Sequence, residues 1–157
     1  MARWSALAAV AALLLVAAPV PAAEGRPGPR EKCPVCGMFV AKYPEWQAVL
    51  RFADGSRLVF DGAKDLFKFW FEPGRYLPAR TRDDVASLFV TDYYALEPLD
   101  ARAAFFVVGS DVLGPMGREL LPFATRGEAE EFKRDHRGSA VLAFDQVTAE
   151  ILLGLDR

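Results

Sequence analysis

Short apolar runs separated by turn-forming clusters occupy most of the 157-residue chain, and their periods predict the elements. Residues 46–52 and 57–60 are β-prone runs split by Ala53-Asp54-Gly55-Ser56, a hairpin signal. Residues 61–71 place Leu66, Phe67, Phe69 and Trp70 on one broad apolar face, which predicts a helix ended by Pro73-Gly74. A loop through 80–84 leads to a further strand over 87–94. The second half repeats the order, with a strand over 103–108, a turn over 113–117, a strand over 119–123 and an amphipathic helix over 126–137. Residues 140–144 supply a last strand or helix edge, and 147–155 a final short helix.

The halves, about 46–94 and 103–157, also align locally. Phe60, Asp65, Leu66 and Phe69 are spaced like Phe123, Glu128, Ala129 and Phe132. Interleaved hairpins and single helices predict an α+β fold of two related ββα(β) units, with small, mostly antiparallel sheets and helices packed on one face.

The N-terminus breaks this pattern. Arg3 precedes an unbroken apolar run over residues 6–18, and Val20-Pro21-Ala22 offers small residues for cleavage, so residues 1–22 read as a signal peptide. The run is too short and too interrupted by Pro19 and Pro21 for the roughly 20 apolar residues of a membrane span. No cysteine lies near the cleavage site, so no lipid anchor is expected. The whole chain carries a formal net charge of −2, and no run of Lys and Arg suggests nucleic acid as a partner. Residues 23–32, rich in Pro, Gly and charge, read as a flexible leader carrying the cysteines on a movable arm, ahead of a domain over 33–157.

Export places the two cysteines in an oxidising compartment, where they pair unless a metal or reductant holds them. Closing so short a loop with a disulfide adds little stability, so the pair needs a chemical explanation. The segment Cys33-Pro-Val-Cys-Gly-Met38 sets two thiols and a thioether within six residues. Such soft donors select Cu(I) over cations that want carboxylate or imidazole. Gly37 lets the backbone turn so that Cys36 and Met38 converge on one ion.

Met116, in Gly114-Pro-Met-Gly117, lies outside any periodic apolar face, unlike a methionine that fills a core. Cys36, Met38 and Met116 are therefore the candidate Cu(I) ligands, with Cys33 beside them. The bland alternatives are a disulfide or redox-active dithiol at Cys33 and Cys36, and ordinary turn packing for Met116. A structural zinc site wants four Cys or His ligands, and the chain has two Cys and one His. His136 reads as a solvated helix-end histidine, and Asp61, Asp92 and Asp111 as caps or turn formers. No nucleophile and base pair stands out, so the chain does not read as an enzyme.

These strings, together with Val90-Thr-Asp-Tyr93, Val108-Gly-Ser110 and Glu119-Leu-Leu-Pro-Phe123, resemble the NosL family of nitrous oxide reductase accessory proteins over nearly all of the chain after residue 22. The resemblance implies a monomeric periplasmic or outer-membrane-tethered metallochaperone, on two ββα-type units similar to the organomercurial lyase scaffold. It implies delivery of Cu(I) to nitrous oxide reductase or its assembly machinery. Cys36 and Met38 match the family's Cys-Gly-Met and Met116 its Pro-Met-Gly, while Cys33 is an extra thiol. Many relatives resemble lipoproteins, so this chain, without a lipobox cysteine, is expected to be a soluble periplasmic form. The runner-up is a thiol-disulfide redox protein using Cys33 and Cys36, although its usual βαβ context is absent. A lyase acting on organometal substrates rests on scaffold similarity alone, and a supporting cysteine and aspartate arrangement is not visible in the sequence.

Overall fold

The computed structural model describes residues 26–157. The expected signal peptide, 1–22, and the first residues of the expected leader lie outside this range. Strands β1 (Ala48–Phe52) and β2 (Arg57–Phe60) form the foreseen hairpin, with Val49 opposite Val59. Helix α1 (Ala63–Phe71) follows, then a one-turn helix α2 (Pro73–Tyr76). Strand β3 (Val85–Thr91) returns along the other side of β1, and β4 (Pro98–Asp100) pairs with β3. The first sheet is antiparallel in the order β2-β1-β3-β4.

The second unit opens with β5 (Phe105–Val108) and inserts a small hairpin, β6 (Leu113–Gly114) and β7 (Gly117–Arg118). It continues through β8 (Leu121–Phe123), α3 (Arg126–Asp135), β9 (Ala140–Ala143) and α4 (Ala149–Leu155). Its sheet has the order β8-β5-β9. In both units the first strand is flanked by the strand that precedes the helix and the strand that follows it. The aligned phenylalanines occupy matching places: the rings of Phe60 and Phe69 lie 5.7 Å apart, those of Phe123 and Phe132 5.0 Å. Phe67 on α1 reaches across to Phe106 at 5.1 Å and Phe144 at 5.0 Å, so the two units share a core.

Several boundaries differ from the sequence reading, each for a local reason. Helix α1 ends at Phe71 as expected, but it begins at Ala63 and not at 61, and Pro73, with its fixed φ, then starts the unforeseen one-turn α2 at N1. The strand expected over 87–94 stops at Thr91, because the Asp92 carboxylate accepts from the amides of Tyr94 (2.9 Å) and Ala95 (2.7 Å) and bends the chain. Its other oxygen accepts from Ala124 N–H at 2.7 Å, which ties the two units together. β4 was not foreseen, since a strand of three residues opened by proline is tolerated only at a sheet edge.

The part of the leader that is described is not a free arm. Lys32 forms an antiparallel bridge to Phe39. The Glu31 carbonyl accepts from Val40 N–H at 3.1 Å, and its carboxylate pairs with Arg57 at 3.0 Å. Cys33, which follows Lys32, is only 1% exposed and belongs to the core, so the cysteines are fixed to the folded body. No helix among the described residues is long and apolar enough to cross a membrane.

Candidate metal centre

The loop that bears the cysteines is closed on itself. Cys33 N–H donates to the Met38 carbonyl at 2.9 Å, and Gly37 N–H to the Cys33 carbonyl at 2.9 Å. Gly37 stands at φ +80, a conformation that a side chain would strain. Inside this turn the amide of Cys36 aims at the Cys33 sulfur, and that of Met38 at the Cys36 sulfur. Each amide favours the thiolate it faces.

The wall opposite the loop is the start of α1. Cys33 Sγ donates to Asp65 Oδ2 at 3.3 Å, and Cys36 Sγ to Asp61 Oδ1 at 3.2 Å. One ligand atom from each of Cys33, Cys36, Asp61 and Asp65 lies within 4.8 Å of the other three. Both aspartates are buried, and Asp61 Oδ2 accepts no hydrogen bond. A buried carboxylate oxygen with no donor is costly and suits a cation.

Burial pushes the Cys36 thiol up to about 12, against the Met38 amide. Burial raises Cys33 further still, with the charges of Asp65 and Asp61 adding to it. Asp65 is raised as well, by burial and by the charge of Asp61, against hydrogen bonds from both thiols. In the metal-free protein the cysteines are therefore neutral thiols at neutral pH. A cation between the two sulfurs and the two carboxylates reverses that balance.

Asp61 and Asp65 were not foreseen as site residues; Asp61 reads in the sequence as a turn former. The repeat holds a signal that would have found Asp65. Both Asp65 and Glu128 occupy the third position of their helix. In α3 the cap is Thr125, and Glu128 closes a capping box with it at 2.7 Å from its hydroxyl. In α1 the cap is Gly62, which offers no side chain, so Asp65 has no capping partner; one of its oxygens pairs with Lys68 at 3.7 Å and the other accepts from Cys33. Two cysteines and two aspartates that are far apart in the sequence thus lie together in the fold.

One of the orphan amides of α1 is served from the other unit. Glu119 Oε1 accepts from Lys64 N–H at 2.6 Å and from Leu120 N–H at 2.9 Å. A side chain at Gly62 would collide with the same carboxylate. Gly62→Ala is expected to destabilise the protein by about 1–3 kcal/mol, measured by urea unfolding, because Glu119 has no room to yield.

The two methionines lie in different settings. Met38 is half-buried in the cysteine loop. Met116 is 44% exposed at the tip of the β6–β7 hairpin, which Lys64 Nζ anchors by donating to the Met116 carbonyl at 3.1 Å. The hairpin tip therefore sits beside the first turn of α1, the turn that carries Asp65. His136 caps α3, stacks on Phe132 at 4.2 Å and lies 3.2 Å from Asp111 Oδ1, well removed in role from the cysteine loop.

Comparison with known proteins gives a consistent answer. The model of the NosL family matches residues 26–152. The copper-binding lipoprotein NosL of Stutzerimonas stutzeri is 29% identical over 133 residues, which is 78% of this chain and 64% of that protein. The chain thus spans a little under two thirds of that relative's length. The crystal structure of the copper chaperone NosL from Shewanella denitrificans is 26% identical, with a TM-score of 0.69, over 83% of this chain and 99% of that one. The solution structure of apo-NosL from Achromobacter cycloclastes is 25% identical, with a TM-score of 0.48, over 67% and 87% of the two chains.

Proposed function

Because the chain belongs to the NosL family, we propose that it binds copper as Cu(I) at the cysteine loop and hands the ion on in the periplasm, as a carrier and not as an enzyme. The observation that supports this most is the pair of thiols held 3.2–3.3 Å from two buried carboxylates, with a backbone amide turned toward each sulfur. Cu(I) takes thiolate and thioether donors, so Cys36, Met38 and Met116 are its ligands, with Cys33 as a further thiolate. Carboxylates are harder donors. Asp61 and Asp65 hold the thiols in place by accepting their hydrogen bonds.

Met116 is exposed and rides on a hairpin of the second unit, so it is the ligand most readily exchanged for one from a recipient. That recipient is nitrous oxide reductase or its assembly machinery, and the carrier works as a soluble monomer. A thiol-disulfide function is less well served, because its attacking cysteine needs a lowered pKa and both thiols here are raised.

The test is an anaerobic Cu(I) titration of the reduced protein against a competing chelator, beside Met38→Ala and Met116→Ala. One tight equivalent, weakened by both changes, is expected. Binding that ignores both methionines would remove them from the site and return the cysteines to redox chemistry.

A further inference from the structure

Lys32 and Phe39 form the neck of the copper loop, since their antiparallel bridge closes the segment that runs from Cys33 to Met38. Phe39 is an exposed aromatic side chain, 38% accessible, where a ring of that size is normally covered. Two ammonium groups sit on it: Lys32 Nζ lies 5.0 Å and Lys42 Nζ 5.7 Å from the ring centre. Both lysines are exposed. Residues 26–43 hold Arg26, Arg30, Lys32 and Lys42 against the single acid Glu31, whose carboxylate is already paired with Arg57. The whole chain is net −2, so this cationic surface runs against the charge of the molecule.

From this arrangement we infer that Lys32, Phe39 and Lys42 form the docking patch for an acidic face on the protein that receives the copper. The inference rests on the copper hand-over reading above. The bridge gives the patch its use: it fixes Phe39 next to Met38 and Lys32 next to Cys33, so a partner seated on the patch is registered on the ligands. Phe39 supplies apolar area at the centre of the contact and the lysines supply steering around it. Cu(I) then changes ligands without changing oxidation state; each thiolate released takes up one proton from water, and the thioethers leave without one.

The experiment loads the protein and its Lys32→Gln/Lys42→Gln variant with one Cu(I) each, and follows transfer to copper-free nitrous oxide reductase at low and high salt. Titration against a chelator is expected to give the same copper affinity for both within about twofold, since neither lysine touches a sulfur. At low salt the variant is expected to transfer roughly ten-fold more slowly, and the difference is expected to shrink as salt rises.

Equal rates at low salt would overturn the docking patch and leave copper carriage intact. A slower rate that persists at high salt, or that follows a loss of copper affinity, would also overturn it. So would binding of the unaltered protein to anionic phospholipid vesicles that the variant lacks, with transfer rates equal, since the patch would then face a membrane. Failure of the unaltered protein to deliver copper at all would sink the recipient assignment, and this inference with it.

Discussion

Replacing Cys36 by serine is expected to weaken Cu(I) binding by more than the roughly 100-fold that loss of an outer-shell partner costs at a metal site. Serine keeps the hydrogen bond to Asp61 Oδ1 that the thiol now donates at 3.2 Å, so folding stability is expected to stay within about 1 kcal/mol of the parent. The pH dependence supplies an independent arm. With Cys36 pushed up to about 12 and Cys33 higher, the empty site keeps both protons at neutral pH, and copper must displace each one. Apparent affinity therefore rises with pH, by about tenfold per unit for every thiol deprotonated. The parent is expected to gain about 100-fold per unit between pH 6 and 8, and Cys36→Ser about tenfold, once the chelator's own protonation is subtracted. Equal slopes for the two proteins would mean that Cys36 gives up no proton to copper and is not a ligand.

The half of this site that was legible in the sequence is the half whose chemistry is local. Cys33-Pro-Val-Cys-Gly-Met38 advertises soft donors and a turn in one string, and the structure closes that turn through Gly37 at φ +80. Ala53-Asp54-Gly55-Ser56 likewise dictates its own hairpin, and the apolar face of α1 its own helix. Asp61 and Asp65 are different, because what makes them functional is burial against a loop some 30 residues away, and a carboxylate in a helix's first turn reads as ordinary capping. The leader misleads for the related reason that Pro, Gly and charge signal mobility, while the Lys32–Phe39 bridge and the Glu31–Arg57 pair that hold it are tertiary. Comparison of the two units was the one route from the sequence to Asp65. The same helix position is an acid in both, and only one of them has a side chain to cap.

That comparison also leads to Glu119, the side chain that substitutes for the cap missing from α1. It is fully buried, and burial pushes its carboxyl from the ordinary 4.5 up to about 7, against the amides of Leu120 and Lys64 and the Lys64 ammonium. The folded protein then holds this proton more tightly than the unfolded chain does. Glu119's contribution to stability is accordingly complete below about pH 4.5 and is lost as pH rises through about 7. At 1.36 kcal/mol per pKa unit, the loss between pH 4.5 and pH 8 is about 3 kcal/mol. Asp65, also raised by burial, adds a loss of the same sign. Asp54, held down to about 2 by its hydrogen bonds to Ser56 and Arg80, titrates below this window and leaves it undisturbed. Urea unfolding of Glu119→Gln is expected to show a markedly flatter decline from pH 5 to 8 than the parent, because glutamine keeps an oxygen for the Lys64 amide and has no proton to lose. If parent and variant decline in parallel, Glu119 is ionised throughout, and the start of α1 is held by a fixed negative charge and not by a group that titrates beside the copper loop.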